Sequence, residues 1–558
     1  MKRILHRHHR APFLFTWLLL TLMQAGLTEL QDDEAYYWVF SKFLDWGYFD
    51  HPPLTALLIK AGYFISGSVL GVRLLFVFLN LATLLIAEKL TEQKNPFLFY
   101  GIALSIAILQ LAGFYAVPDT PLIFFTAIFF WRYRAFIIKA SLLNSLWLGI
   151  AIALLFYTKY HALLIVLFTL LSNIRLLAKP NAWLAAMMAL ILFAPHLYWE
   201  YNHDWISFRY HLFESNVNEY KFSYTGNYLI GQLLLAGPIA GFILIPAAFL
   251  LKPSTYTEKA MKYVLIGLYV FFLLSSFRGK VEPNWTSAGL VPLIVLAHRS
   301  LQQRPLWLKW LWRTLPVSIL LVLFGRMVMV EDILPVKAVR EKFHAWKQWP
   351  AEMKQRTKGL PVVFSNSYQR ASKYWFYSGQ LSYSQNHFRD HRNNYDLWPI
   401  EDSILGKPVV FMDTYGLENF TDTMHTPIGT IGYRFDTACF SMAAIQFIPE
   451  HRSYTVIAGD SILLKGRIQL PENYANFIQA HPSLDLPIRI YIMKGKGVVN
   501  DIQVPLKLKD VLKRRFEFWL DPHLPQDELE MIIAIQAPGY NPTHNSRRIA
   551  LRVVPRSS

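Results

Sequence analysis

Residues 31–54 read QDDEAYYWVFSKFLDWGYFDHPPL. Asp32, Asp33 and Glu34 follow directly on the apolar stretch 11–30. After them Ala35, Val39, Phe43 and Trp46 recur at helical spacing, with Tyr36, Phe40 and Leu44 beside them. Residues 35–47 are therefore expected to form a short helix whose wide apolar stripe lies in a membrane interface. At its start Asp32 would be an N-cap and the other two acids would complement the helix dipole. Such a cap is structural when it stands alone. Here a second polar group, Tyr48-Phe49-Asp50-His51-Pro52-Pro53, comes a few residues on, and a third acid sits in Pro118-Asp119-Thr120-Pro121. Acids on three segments can meet in one pocket only if those segments share a side of the membrane.

The chain has 558 residues, of which 53% are hydrophobic, 15% aromatic and only 17% charged. Soluble chains carry roughly 25% charged residues, so too little charge is present to cover a soluble enzyme of this size, and the surplus apolar residues point to a bilayer. Apolar runs recur at 11–30, 69–88, 96–116, 120–136, 142–158, 161–177, 182–199, 227–250, 262–277, 287–298 and 313–330, then stop. The first lacks a small-x-small cleavage site and is expected to stay as a helix rather than leave as a signal peptide. Alternate loops hold eighteen Lys and Arg, from Lys2, Arg3, Arg7, Arg10, Lys89 and Lys94 to Arg313, against seven in the other set. The positive-inside rule makes the richer set cytoplasmic. The segments 31–68, 117–119, 159–160, 200–226 and 278–286 then share the outer side, with everything after 330. The net charge of +17 is a topology signal and does not call for a nucleic-acid partner. The cytoplasmic loops hold no phosphate-cradling glycine motif, which argues against an ATP-driven pump.

Past residue 330 the composition turns soluble. Pro361–Ser365 and Lys407–Met412 read as buried strands of a small α/β region over 331–429. Ser453–Ile457, Ser461–Ile468, Pro487–Met493 and Glu530–Gln536 read as the strands of a β-sandwich-like region over 430–558, with Lys494–Gly497 (KGKG) as a hairpin turn. The single cysteine, Cys439, excludes an intramolecular disulfide. The expected architecture is a polytopic α-helical membrane domain over 1–330, of about eleven spans, followed by these two extracytoplasmic regions.

Five segments in order resemble the GT-C superfamily of integral-membrane glycosyltransferases, in the bacterial branch of the lipid A aminoarabinose transferase, with protein O-mannosyltransferases more distant. They are Asp33-Glu34-Ala35-Tyr36-Tyr37, Phe49 through Leu54, Pro118 through Leu122, Pro195 through Phe208, and Gly279 through Trp285. The resemblance implies transfer of a sugar from a polyprenyl-phosphate donor to a glycan, lipid or protein acceptor, outside the bacterial inner membrane and without a nucleotide. It also implies that Asp33 is the catalytic acid/base, with Glu34 beside it. Where the branch has Glu-Lys before its paired prolines this chain has Asp50-His51, so a phosphate-gripping lysine does not transfer to that position.

Displacement at the anomeric carbon needs a base for the acceptor hydroxyl and would invert configuration. A carboxyl at an apolar interface has a raised pKa, which suits Asp33, and Asp119 would orient the acceptor or assist. The departing phosphate needs cations where charge develops. Arg73, Lys159, Arg209 and Lys280 are the candidates, Lys159 first because it lies between two apolar helices. Snorkelling to the interface would explain Lys159 nearly as well, and solvated loops would explain Arg209 and Lys280. Asp50, His51, Glu282, Asn284 and Trp285 would line the sugar pocket, though Trp285 also suits an interfacial anchor. His196, His203 and His211 match no metal spacing. A divalent ion could sit between Asp50 and one of them, but the pattern requires neither metal nor cofactor. Two rival functions use the same features: a transporter or flippase of a polyprenyl-linked glycan, and an oligosaccharide ligase.

Overall fold

Each apolar run of the sequence becomes helix. The computed structural model describes residues 2–92, 95–215, 219–495, 497–521, 524 and 527–555. Lys94, Lys496 and the side chains of Lys2, Arg3 and Arg7 lie outside the described set. The chain divides into two units, Met1–His344 and Ala345–Ser558.

In the first unit α1 (Lys2–Leu27) leads to α2 (Asp32–Phe40), α3 (Leu54–Ile65) and α4 (Val69–Leu90). There follow α5 (Pro96–Ser105), α6 (Ala107–Leu111), α7 (Asp119–Ile138), α8 (Leu142–Phe156), α9 (Ala162–Ser172) and α10 (Pro180–Asn202). After the single turn α11 (Ile206–Arg209) come α12 (Phe222–Ala236), α13 (Gly241–Leu250) and α14 (Tyr256–Ser275). The unit closes with α15 (Leu290–Leu301), α16 (Pro305–Val330) and the short α17 (Lys337–Phe343). Among the described residues five helices, within α1, α4, α7, α10 and α16, are long and apolar enough to cross a bilayer alone. The pair α12 and α13, bent by 93°, would make a sixth.

Two of the sequence's runs are broken helices. The run 96–116 breaks at Ile106, whose backbone is extended (ψ 106°) between α5 and α6. The run 227–250 breaks at Gly237, with φ of +130°. These breaks meet: a Cβ on Gly237 would lie 2.3 Å from the Ser105 carbonyl oxygen, so only glycine allows the approach. The short α15 is buried on nearly every side, among them Val291, Leu293, Ile294 and Leu296. An apolar helix enclosed by others need not match the bilayer's thickness.

The helix expected over 35–47 is shorter and differently placed. Gln31, not Asp32, is its N-cap, and it ends at Phe40. There Tyr48 folds back, its hydroxyl donating to the Phe40 and Phe43 carbonyls (3.1 Å each). Ala35 through Phe40 are all buried, so α2 is enclosed by protein and has no membrane-facing stripe.

The second unit is built from two kinds of sheet. The first is mixed, in order β2-β1-β3-β5-β4. Its strands β1 (Val362–Ser365), β2 (Ser382–Gln385) and β3 (Val409–Asp413) are parallel, while β4 (Asp422–Thr426) and β5 (Gly429–Asp436) pair antiparallel. The helix Tyr368–Ser378 makes the β1–β2 crossover. Strand β5 belongs to this sheet through β3, so the sheet runs to Asp436 and crosses the boundary read at 430. The remaining strands are β6 (Gln446–Pro449), β7 (Ser453–Ile457), β8 (Ile462–Gln469), β9 (Pro487–Lys494), β10 (Gly497–Lys507), β11 (Arg515–Leu520), β12 (Glu528–Ile535) and β13 (Ile549–Val554). They form a five-stranded sheet, β10-β9-β12-β13-β7, and a three-stranded one, β11-β8-β6. Alternate residues of β11 and β13 are buried and exposed, the pattern of strands with one covered face.

Candidate active site

The acidic start of α2 is locked in place by Arg73 on α4. Glu34 accepts from Arg73 Nε (2.7 Å) and Nη2 (2.5 Å), and from the backbone amides of Ala116 (2.8 Å) and Gln31 (2.9 Å). The other guanidinium hydrogens go to the carbonyls of Ala25, Thr28 and Glu29 at the end of α1 (2.8–2.9 Å). The last carbonyls of a helix need donors from outside the turn, and a buried guanidinium fork supplies them here. Both side chains of the pair are 0% exposed. This corrects two expectations. Arg73 is enclosed and saturated, so it offers no surface to a donor phosphate, and Glu34 has no oxygen left for a proton transfer. One knot ties α1, α2 and α4 to the Ala116 segment just before α7.

Asp119 opens α7, where the helix dipole favours a carboxylate. Lys159 Nζ donates to its Oδ1 and Oδ2 (3.1 and 3.2 Å), Ser287 Oγ to Oδ1 (2.7 Å) and Asn284 Nδ2 to Oδ2 (3.0 Å). Lys159 comes from the link between α8 and α9; Asn284 and Ser287 come from the 3-10 turn Pro283–Gly289. That turn is held by Gln232 of α12, which donates to the Pro283 carbonyl (3.1 Å) and accepts from Thr286 Oγ1 (2.5 Å). Two segments distant in sequence thus converge on the carboxylate of a third, buried with its lysine.

Asp33, next to the sealed Glu34, stays solvent-accessible. The surrounding protein still crowds it: burial and then the neighbouring Asp32 push its pKa up to about 6, against the pull of Lys159 and Lys342, with Asp119 adding to the rise. Asp50 responds in the same way, pushed up to about 7 by burial and then by Asp33. His51 is held well below its ordinary value by burial, then by Lys159 and His211. Burial likewise lowers His211, with Lys159 adding to it, although a bond to the Asp50 carbonyl opposes the shift. Asp33, Asp50, Asp119, Lys159 and the two histidines therefore share one electrostatic neighbourhood.

The segment Pro195–Phe208, read as part of the site, mostly braces it. His196 Nδ1 donates to the Trp46 carbonyl (2.7 Å), Trp199 Nε1 to Asp45 Oδ2 (2.8 Å) and Ser207 Oγ to the Tyr48 carbonyl (2.8 Å). His211 Nε2 donates to the Asp50 carbonyl (2.8 Å). Between them these bonds hold the loop between α2 and α3, which carries Asp50 and His51.

Other expected residues lie further out. Lys280 pairs with Glu282 at 2.5 Å, and both side chains are about half exposed or more (63% and 46%), so each has the other as partner. Arg209 is partly exposed on α11. Trp285 packs against His161, their ring centroids 5.5 Å apart. Sequence reading missed Ser287, because serine carries no signature without its partner. It also missed Lys342, which lies on α17 beyond the last apolar run and still acts on Asp33. Its neighbour Phe343 packs beside Ala25, Val77 and Phe114 and so anchors that helix. Among the described residues no three His, Cys, Asp or Glu side chains are grouped to hold a metal ion.

Comparison with known proteins follows the same lines. Residues 50–199 match the family model described as dolichyl-phosphate-mannose-protein mannosyltransferase. That stretch contains Asp50, Asp119 and Lys159 and begins after Asp33. The lipid A galacturonosyltransferase RgtD of Rhizobium johnstonii is 26% identical over 313 residues, covering 53% of this chain and 64% of that protein. The match thus spans a little under two thirds of the relative. ArnT from Cupriavidus metallidurans, solved bound to undecaprenyl phosphate, superposes with a TM-score of 0.56 at 12% identity, over 76% of this chain and 98% of that one. Its apo form gives the same TM-score at 11% identity. At such identity the likeness shows the fold alone, and the chain shares the fold of ArnT.

Proposed function

We propose that the protein transfers a sugar from a polyprenyl-phosphate donor to a glycan, lipid or protein of the cell envelope, at the outer face of a bacterial inner membrane. The observation that carries this reading is the accessible carboxyl of Asp33, with a pKa near 6, beside the buried Asp119–Lys159 pair. A base that titrates near neutrality suits deprotonation of a hydroxyl at physiological pH. The relatives agree in kind: RgtD is a lipid A galacturonosyltransferase, and ArnT was solved bound to undecaprenyl phosphate.

Asp33 takes the proton of the acceptor hydroxyl. The freed oxygen bonds to the anomeric carbon from the face opposite the phosphate. The bond from that carbon to the phosphate oxygen breaks, and its electron pair leaves with the polyprenyl phosphate, so the configuration inverts. Asp119 keeps the position of Lys159, whose ammonium meets the charge developing on the departing phosphate. Lys342, with Arg209 and Lys280 further out, supplies positive charge along the approach. The outer location of the 345–558 unit rests on the charge bias of the membrane loops.

The test is mass spectrometry of envelope glycolipids and glycoproteins from a deletion strain carrying an empty vector, the wild-type gene or Asp33→Asn. Loss of one sugar mass, restored by wild type alone, is the expected result. Restoration by Asp33→Asn would remove Asp33 as the base, and an unchanged envelope in the deletion strain would favour a transporter.

A further inference from the structure

The membrane unit holds a second buried arginine, which the candidate active site does not use. Arg326 lies on α16, four residues before its last residue and so about 6 Å along the helix axis from that end. Its guanidinium is buried at the junction of α16 with α1 and α6. Nη1 donates to the Leu20 carbonyl (3.2 Å) and Nη2 to Gln110 Oε1 (3.0 Å). Gln24 of α1 closes the same junction, its Nε2 donating to the Arg326 carbonyl (3.2 Å). The residues flanking these polar groups in the chain, among them Leu22, Ala25, Leu111 and Met329, pack into one apolar cluster.

Arg73 has an acceptor for each of its five N–H groups, and two of those acceptors are the oxygens of a carboxylate. Arg326 has two acceptors, and both are neutral. Among the described residues it pairs with no acid, three of its five N–H groups have no acceptor, and Nε is buried without any partner. The acids closest to it in sequence, Glu331 and Asp332, are exposed beyond the end of α16. A guanidinium keeps its charge at any physiological pH, and a charge enclosed in apolar surroundings without a counter-charge is costly. An anion from outside the chain would complete this group.

The position of Arg326 narrows the kind of anion. Helix geometry sets it about 60° around α16 from Leu323, which is exposed, as are Phe324 and Met327. Helical side chains lean toward the preceding turn, here toward Leu323. The guanidinium therefore borders the lipid-facing surface, at the end of the bundle where α1 passes into α2. Phosphate oxygens fit the planar guanidinium fork. Gln110 Nε2, which has no acceptor among the described residues, is a further donor beside it.

We infer that Arg326, with Gln110, binds the phosphate of a membrane lipid between α1, α6 and α16. This site shares no residue with Asp33, Asp119 and Lys159. The inference goes beyond the transferase reading and needs only a bilayer around the first unit. The ligand is a phosphate ester on an apolar tail, supplied by a phospholipid or by a polyprenyl phosphate.

The test follows the Tm of the full-length protein in nonionic detergent as lipid is added, for wild type and Arg326→Gln. The lipids are phosphatidylglycerol, undecaprenyl phosphate and a diacylglycerol, which has an apolar tail and no phosphate. The undecaprenyl phosphate arm is run in a Lys159→Met background, so that the proposed active site takes no part. At least one phosphate lipid should raise Tm saturably where diacylglycerol does not. Arg326→Gln should require about tenfold or more lipid for the same rise, the usual effect of losing a hydrogen bond between charged groups. Without lipid Arg326→Gln should hold or raise Tm, because a buried unpaired charge is gone. A response to phosphatidylglycerol assigns the site to phospholipid, and a response to undecaprenyl phosphate alone assigns it to the polyprenyl carrier. No response beyond that of diacylglycerol, or a response that Arg326→Gln leaves unchanged, overturns the inference and leaves the transferase reading intact. Should Arg326→Gln fail to fold, Gln110→Leu, which keeps the arginine and removes its neighbouring donor, must weaken the response for the inference to stand.

Discussion

Two buried acid–base pairs lie close together in the membrane unit and behave as opposites. In Glu34–Arg73 both side chains are fully enclosed, and every guanidinium nitrogen has a named acceptor. In Asp119–Lys159 the side chains keep 11% and 9% exposure, and both bonds of the ammonium go to the same carboxylate, which among the described residues leaves its third hydrogen uncommitted. Lysine is a point charge that can turn toward a ligand, while arginine in a filled fork cannot. Under the proposed function the comparison separates a fastening from a working part: what decides is spare hydrogen-bonding capacity beside an accessible carboxylate, not the presence of a charge in an apolar setting.

The largest effect should come from the residue that links the two. Asp33→Asn should lower transfer by roughly 10²–10⁴-fold, the usual contribution of a general base, with the fold retained. Its stability effect has a definite sign. A carboxyl raised from 3.8 to about 6 favours the folded state below the lower value, and that benefit is lost as pH rises through 6. At pH 7.5 the amide removes a charge the fold disfavours, so Tm should hold or rise. A fall in Tm alongside lost transfer would mean that Asp33 is a fastening as well.

Next in size is Arg73→Met. It leaves Glu34 buried and unpaired, a loss of about 3–5 kcal/mol in comparable pairs, so yield and Tm should collapse. Glu34→Gln combined with Arg73→Met should recover part of both. If Arg73→Met instead kept its Tm and lost only transfer, Arg73 would be the phosphate ligand that its position in an apolar run suggests.

That wrong expectation shows where sequence reading stops. A charge inside an apolar run reads as functional by default, and nothing local shows that Glu34, 39 residues earlier, saturates it. Asp33, Asp119 and Lys159 were legible because membrane sidedness placed their segments together, and sidedness is a property of composition. Ser287 was not, since its role exists only once the 3-10 turn meets α7. The spacing of Phe43 and Trp46 continued the helical period past Phe40, but the fold-back of Tyr48 overrides it. In the second unit β1, β3, β7, β8, β9 and β12 were legible from apolar runs bounded by turn signals. Strand order was not, because a pairing such as β13 with β7, parallel and some ninety residues apart in the chain, leaves no local trace.

Lys159→Met should reduce transfer by about 10²-fold, the effect of removing one preorganised group from developing charge. Its cost in stability should be smaller than that of Arg73→Met, because Asn284 and Ser287 still hold Asp119. Equal losses of Tm in Lys159→Met and Arg73→Met would erase the distinction between the two pairs. A pH series sharpens the same point. Wild-type transfer should fall as pH drops below about 6, where Asp33 takes up a proton. Lys159→Met should move that limb to higher pH, because the ammonium is one of the charges that pull the Asp33 carboxyl down.

The smallest effect belongs to the exposed pair. Lys280 and Glu282 are close in space and largely solvated, and such pairs contribute about 0–1 kcal/mol. Lys280→Ala should leave Tm within error and change transfer by about twofold at most, with the remaining loss confined to low ionic strength, where distant charges still guide an anionic donor. The measurement is kcat/KM for donor at low and high salt. A large fall in kcat that salt does not mask would show that Lys280 leaves Glu282 and touches the donor phosphate during turnover. Exposure would then have misjudged this pair as readily as burial in an apolar run misjudged Arg73, and spare capacity would have to be counted in the bound state instead of the resting one.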